Sequence, residues 1–239
     1  MERYKEKIAG KIRVDTDIPF AQVTGHDSNP ETLCLDIYSP EEDTEKNRRV
    51  IILIHGGGFR NCTKQQEYIV TLANELAGYG YVCVSVDYRL YKNDETHPGR
   101  KIGAISASED VELARLFLCE NADRLGIDMK NAALLGGSAG GMTVNEACKN
   151  KAAGYRAAVC LWGGPDEITD PHMYTDMLLV HGTDDRLVPY ENSVKLHKAL
   201  SEASVYSELI TLEGAGHTAI DRKDEFLPRV IEFLDERMK

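Results

Sequence analysis

Apolar positions follow two alternating patterns along the chain. Runs that are nearly all apolar, at residues 50–55, 81–87, 132–136, 157–162 and 177–181, read as strands, and strand-like runs at 11–14, 33–38 and 205–212 bring the set to eight. Between the later runs the spacing changes to the helical one. Ile69, Leu72, Ala73 and Leu76 mark one buried helix face closed by Gly78 and Gly80, and Ala107, Val111, Ala114 and Leu118 mark another. A last face comprises Phe226, Leu227, Val230, Ile231 and Leu234, with Pro228 expected in the first turn of its helix. Early strands follow one another directly and later ones alternate with helices. That order predicts one three-layer α/β domain over residues 1–239, its central sheet of about eight strands mostly parallel with an antiparallel edge on the N-terminal side. No internal repeat or linker divides it.

Composition narrows the function classes. Hydrophobic residues make up 42% of 239, with 20 glycines, which is ordinary for a folded domain and excludes a disordered or fibrous chain. Asp and Glu number 39 against 28 Lys and Arg, a net charge of −11, so binding nucleic acid or an anionic membrane through charge is not expected. No apolar run is long enough to span a membrane and the first seven residues lack the centre of a secretory signal, so the chain reads as cytoplasmic. The six cysteines show neither a Cys-x-x-Cys pair nor Cys/His ligand spacing; Cys34, Cys83, Cys119 and Cys160 lie in apolar stretches and read as buried free thiols, and no metal is expected.

Three glycine-rich or polar segments sit where runs end. Gly136-Gly137-Ser138-Ala139-Gly140 matches G-x-S-x-G between an apolar strand and a segment able to form a helix, a turn that exposes the serine above the sheet. A serine nucleophile needs a base and a group to orient that base. His217 follows the last strand and Asp185 the one before, giving the order Ser138, Asp185, His217 with gaps of 47 and 32 residues; Asp184 competes for the acid role. Upstream, His55-Gly56-Gly57-Gly58-Phe59 ends a strand, and its glycines let the chain turn amides toward a developing oxyanion. Gly57, Gly58 and Ala139 are the expected donors. Phe59 and Trp162 are candidates for the substrate pocket. His55 and His181 are expected to organise loops, and Asp87, Arg89 and Asp110 to form structural ion pairs or caps. Gly214-Ala215-Gly216-His217-Thr218-Ala219 imitates a dinucleotide fingerprint but lacks the βαβ unit that such a site needs.

These motifs, together with Leu35-Asp36-Ile37-Tyr38-Ser39-Pro40 and Val86-Asp87-Tyr88-Arg89-Leu90, resemble the α/β-hydrolase superfamily, and within it the hormone-sensitive-lipase-type carboxylesterases and the acetyl- and feruloyl-esterases. The resemblance implies a serine esterase that works through an acyl-enzyme without a cofactor, with the oxyanion hole at Gly57, Gly58 and Ala139. The family pattern H-G-x-x-D-x-x-V-P selects Asp185 over Asp184. It implies short acyl groups on a small-molecule or carbohydrate ester, and the chain's charge points to an uncharged alcohol. Arylformamidases and non-catalytic binding proteins share the same frame. The chain departs from the lipase-type pattern where Tyr91-Lys92-Asn93 follows Leu90. Only 14 residues, 163–176, separate two strands where this fold commonly inserts a cap, so an open site without a cap domain is expected.

Overall fold

The computed structural model describes residues 2–92 and 97–239; Asn93, the last residue of the Tyr91-Lys92-Asn93 departure, lies outside them. Strands β3 (Arg48–Ile54), β4 (Val82–Val86), β6 (Ala157–Leu161) and β7 (Met177–Gly182) are buried along nearly their whole length. Near-continuous Val, Ile, Leu and Ala suit such strands because helices cover both faces of a parallel sheet. With β1 (Ile12–Thr24), β2 (Pro30–Pro40), β5 (Ile127–Gly137) and β8 (Ser207–Leu212) they form one eight-stranded sheet in the order β1-β2-β4-β3-β5-β6-β7-β8. The β1–β2 and β2–β4 pairs are antiparallel and the others parallel.

The apolar faces sort the helices. Val50, Ile52 and Ile54 point to a cluster that takes in α2 (Arg100–Glu120), α4 (Ala139–Ala147) and α5 (Tyr190–Glu202). Ile51 and Leu53 point the other way, to α1 (Glu67–Gly78) and α6 (Lys223–Arg237). A one-turn α3 (Ala122–Leu125) leads into β5. All eight expected strands are present, but the N-terminal pair is longer than its apolar runs. β1 carries exposed polar residues, pairs on one side only, and is interrupted by register shifts between Asp15 and Ile18 and between Pro19 and Ala21. Such irregularities blunt an open sheet edge.

Two expectations need correction. Pro228 lies inside α6, not in its first turn, because the helix begins at Lys223. Pro228 is exposed, and so is Asp224, whose carbonyl it leaves without a helical donor. All six cysteines are unpaired, but Cys119, next to last in α2, is exposed, and Cys34, in the middle of β2 opposite Pro19 of the edge strand, is half-buried. Among the described residues no helix is long and apolar enough to cross a membrane.

The sheet order reverses between β3 and β5, and the C-terminal ends of the parallel strands gather their loops beside that point, where open α/β sheets place ligands. The turns after β3, β5, β7 and β8 carry the glycine loop, Ser138, Asp185 and His217 respectively.

Candidate active site

The turn from β5 into α4 is tight enough to dictate its glycines. A Cβ at Gly140 would lie 2.0 Å from the carbonyl oxygen of Ile54 on the neighbouring strand, and one at Gly136 would lie 2.5 Å from the carbonyl oxygen of Gly140. Ser138 between them takes φ +58° and ψ −123°, a conformation that side chains rarely adopt. Its amide donates to Leu161 O at 3.0 Å and its carbonyl accepts from the Met142 amide at 3.0 Å. Both backbone bonds hold the strained residue in place and leave Oγ facing a cavity.

His217 and Asp185 meet that hydroxyl in one chain of bonds. Ser138 Oγ is 2.8 Å from His217 Nε2, and His217 Nδ1 is 2.7 Å from Asp185 Oδ2. An ionised carboxylate can only accept, so Nδ1 carries the imidazole proton and Nε2 is free to accept from the serine. Burial pushes the Asp185 carboxyl up, but the hydrogen bond from His217 and those from the Val188 and Leu187 amides outweigh it and hold the group below its ordinary value. Asp184 is exposed, and among the described residues its carboxylate accepts from Thr183 Oγ1 alone, at 3.4 Å. Geometry therefore brings Asp185, and not Asp184, to His217.

The glycine loop after β3 is held by its carbonyls. Tyr88 Oη donates to Gly56 O at 2.9 Å and His55 O at 3.1 Å, the Tyr91 amide donates to Phe59 O at 2.8 Å, and His97 Nε2 lies 3.0 Å from Gly58 O. Gly57 at φ +94° would place a Cβ 2.2 Å from Asn61 O, so no larger residue fits. No backbone carbonyl among the described residues accepts from the Gly57 or Gly58 amide, and the Ala139 amide, first in α4, has no partner within the helix. All three residues line the cavity that Ser138 and His217 border, a space of about 430 Å³ open to solvent.

Phe59 also lines this cavity, with its ring packed toward Gly103 of α2 and Tyr88. Trp162 does not, which corrects its expected pocket role. Its ring is wholly buried beneath the serine turn, where a Cβ at Gly137 would lie 2.7 Å from Nε1, and it packs edge-on against Tyr68 and Phe226. Met142 and Leu187 are lining residues that sequence reasoning missed; their nearness to Ser138 and Asp185 was the available signal. Arg60, His97 and Arg100 add cationic or polar edges to a molecule that is acidic overall.

The expected structural groups are placed as follows. Arg89 pairs with buried Asp110 at 2.8 Å, and Asp87 accepts from the Lys64 amide at 2.8 Å. His55 Nδ1 bonds Gly56 O at 2.8 Å and its ring stacks on Tyr88. No cluster of His, Cys, Asp and Glu able to hold a metal occurs among the described residues.

Comparison with known proteins gives the same frame. The BD-FAE family model matches residues 35–152 and the prolyl oligopeptidase family model matches residues 165–239. Among solved structures, esterase 2 of Thermogutta terrifontis phosphoramylated by tabun superposes with a TM-score of 0.70 at 23% identity, over 97% of this chain and 94% of that one. The butyrate-bound form of the same esterase gives 0.69 at 21% identity over 91% and 92%. A 70-residue stretch is 36% identical to the non-reducing polyketide synthase pkbA of Emericella nidulans and covers 27% of this chain but 3% of that protein.

Proposed function

The chain belongs to the α/β-hydrolase superfamily, and on that premise we propose that it is a serine carboxylesterase acting on short-acyl, uncharged esters. The observation that carries the reading is the unbroken hydrogen-bond chain from Ser138 through His217 to Asp185, facing the same cavity as the Gly57, Gly58 and Ala139 residues.

In the proposed reaction His217 Nε2 takes the proton from Ser138 Oγ as that oxygen attacks the ester carbonyl. The three amides receive the charge that develops on the carbonyl oxygen, each contributing about 10²-fold in rate. Asp185 stays ionised and stabilises the imidazolium, which then protonates the departing alcohol. Water, deprotonated by the same imidazole, releases the acid from the acyl-serine. No step calls on a cofactor. Short acyl groups are supported by the neighbouring esterase, which is described in butyrate-bound and propionate-bound forms. The open cavity leaves room for a bulky alcohol such as a sugar chain.

The test is hydrolysis of p-nitrophenyl esters from acetate to decanoate, with acetylated xylan, methyl ferulate and N-formylkynurenine beside them. Acetate to butyrate should be turned over fastest, and Ser138→Ala and His217→Ala should each lower kcat by about 10³-fold or more. Undiminished rates in either variant remove the assignment. A maximum at decanoate removes the short-acyl preference, and dominant turnover of the formamide replaces the ester by an amide.

A further inference from the structure

Four N–H groups converge on the Asp185 carboxylate, which has no exposed surface. Oδ1 accepts from the amides of Leu187 at 2.8 Å and Val188 at 3.0 Å. Oδ2 accepts from His217 at 2.7 Å and also lies 3.1 Å from Nε2 of His181. That same Nε2 is 3.0 Å from Val188 O. A carboxylate and a carbonyl only accept, so Nε2 of His181 carries the proton and divides it between them.

The other side of this imidazole is equally well defined. Nδ1 of His181 is 2.7 Å from Ser193 Oγ, and both residues are wholly buried. Burial lowers the pKa of His181 below the ordinary imidazole value, so the ring is neutral at pH 7 and its Nδ1 accepts from the Ser193 hydroxyl. Two serine–histidine arms thus meet on one carboxylate oxygen. Ser138 and His217 form the arm that opens on the cavity, and Ser193 and His181 form its buried counterpart.

We propose that His181 and Ser193 are positioning residues for the ester hydrolysis proposed above: they fix Asp185 and, by sharing its Oδ2, limit how tightly it holds a proton on His217. This role rests on that functional reading and on simple electrostatics. A donor on Oδ2 draws charge from the oxygen that faces His217, which leaves the imidazolium less stabilised relative to the free base. Ser193 sets the direction of the arm, since its hydroxyl occupies Nδ1 and keeps the His181 proton on Nε2. Other groups face the pair as well. Arg60, His97 and Arg100 line the cavity beside His217, and the Tyr190 ring stands edge-on to His181 at 6.0 Å. All of them are unchanged in the variants below, so they form a constant background.

The experiment compares wild type, His181→Phe, His181→Gln and Ser193→Ala, with active sites counted by fluorophosphonate labelling so that misfolded protein does not enter the rate. Phenylalanine keeps the ring and removes both nitrogens; glutamine keeps an N–H donor. His181→Phe should lower kcat per site on the order of tenfold or more with KM within about twofold. The acid limb of kcat/KM and the His217 titration followed by NMR should both move up by about half to one pH unit. His181→Gln should recover most of kcat, and Ser193→Ala should shift the same limb in the same direction by less. Full kcat per site with an unmoved His217 titration in His181→Phe overturns the proposal, as does a glutamine variant no better than phenylalanine. Absence of ester turnover in the wild type counts against the functional reading instead, and the NMR titration still decides this one.

Discussion

His55 shows how a residue inside a reactive motif can be a stability element. Its ring is 1% exposed and stacks on Tyr88, and burial lowers its pKa to about 4 from an unfolded value near 6.5. Between those values the unfolded chain binds a proton that the folded chain does not, so stability rises with pH across the window and is lost as pH falls from about 6.5 toward 4. A shift of that size corresponds to roughly 3 kcal/mol. His55→Phe keeps the stacking, and Gly56 O retains the Tyr88 hydroxyl as a donor. Urea unfolding at pH 4.5 and 7.5 should therefore show a smaller pH difference in the variant; equal differences would show that His55 does not titrate in this way. The same residue marks what sequence could deliver. Glycines and a serine at fixed spacing are legible because the turn geometry admits nothing else, as Gly57 and Gly140 show. Trp162 misled because an aromatic residue at a strand end looks alike in sequence whether it faces the cavity or, as here, lies beneath the serine turn.

Among the elements, α6 holds the most readily tested residue. Pro228 sits within this helix on its solvent face, so it removes one main-chain hydrogen bond and strains the preceding turn. A proline in a helix interior costs about 3 kcal/mol relative to alanine, and the looser unfolded chain of an alanine variant returns up to about 1 of that. Pro228→Ala should thus stabilise the fold by about 1–2 kcal/mol, seen as a higher urea midpoint, with ester turnover unchanged. A lower midpoint would mean that the proline shapes the approach of α6 to the sheet. Element boundaries were legible in proportion to burial. β3, β4, β6 and β7 follow their apolar runs closely because both faces are covered. β1 extends far past its apolar start because pairing with β2 on one side holds a strand whose side chains largely remain in water. No hydrophobic pattern announces such a strand.

At the scale of the whole molecule, the net charge of −11 and the local surroundings of the site point in different directions. Arg60, His97 and Arg100 line the cavity, so the field a substrate meets there is not that of the distant acidic surface, which salt screens within about 8–10 Å. Access is the stronger determinant. Residues 163–176 form a loop with a single short turn at Pro171–Met173, tied to the start of α2 by Arg100–Asp166 at 3.4 Å and Lys101–Glu167 at 2.7 Å. None of residues 163–176 lines the cavity, and neither does any of residues 2–49, whose strands belong to the sheet. A segment of that size cannot bury a core of its own and swing as a cap. Among the described residues no such cap is present, so the site should stay open in water, with no closed state for an oil surface to relieve. The rate on a sparingly soluble short-chain ester should follow a simple saturation curve through its solubility limit. A sharp rise at the onset of emulsion would mean that some part of the chain covers Ser138 in solution.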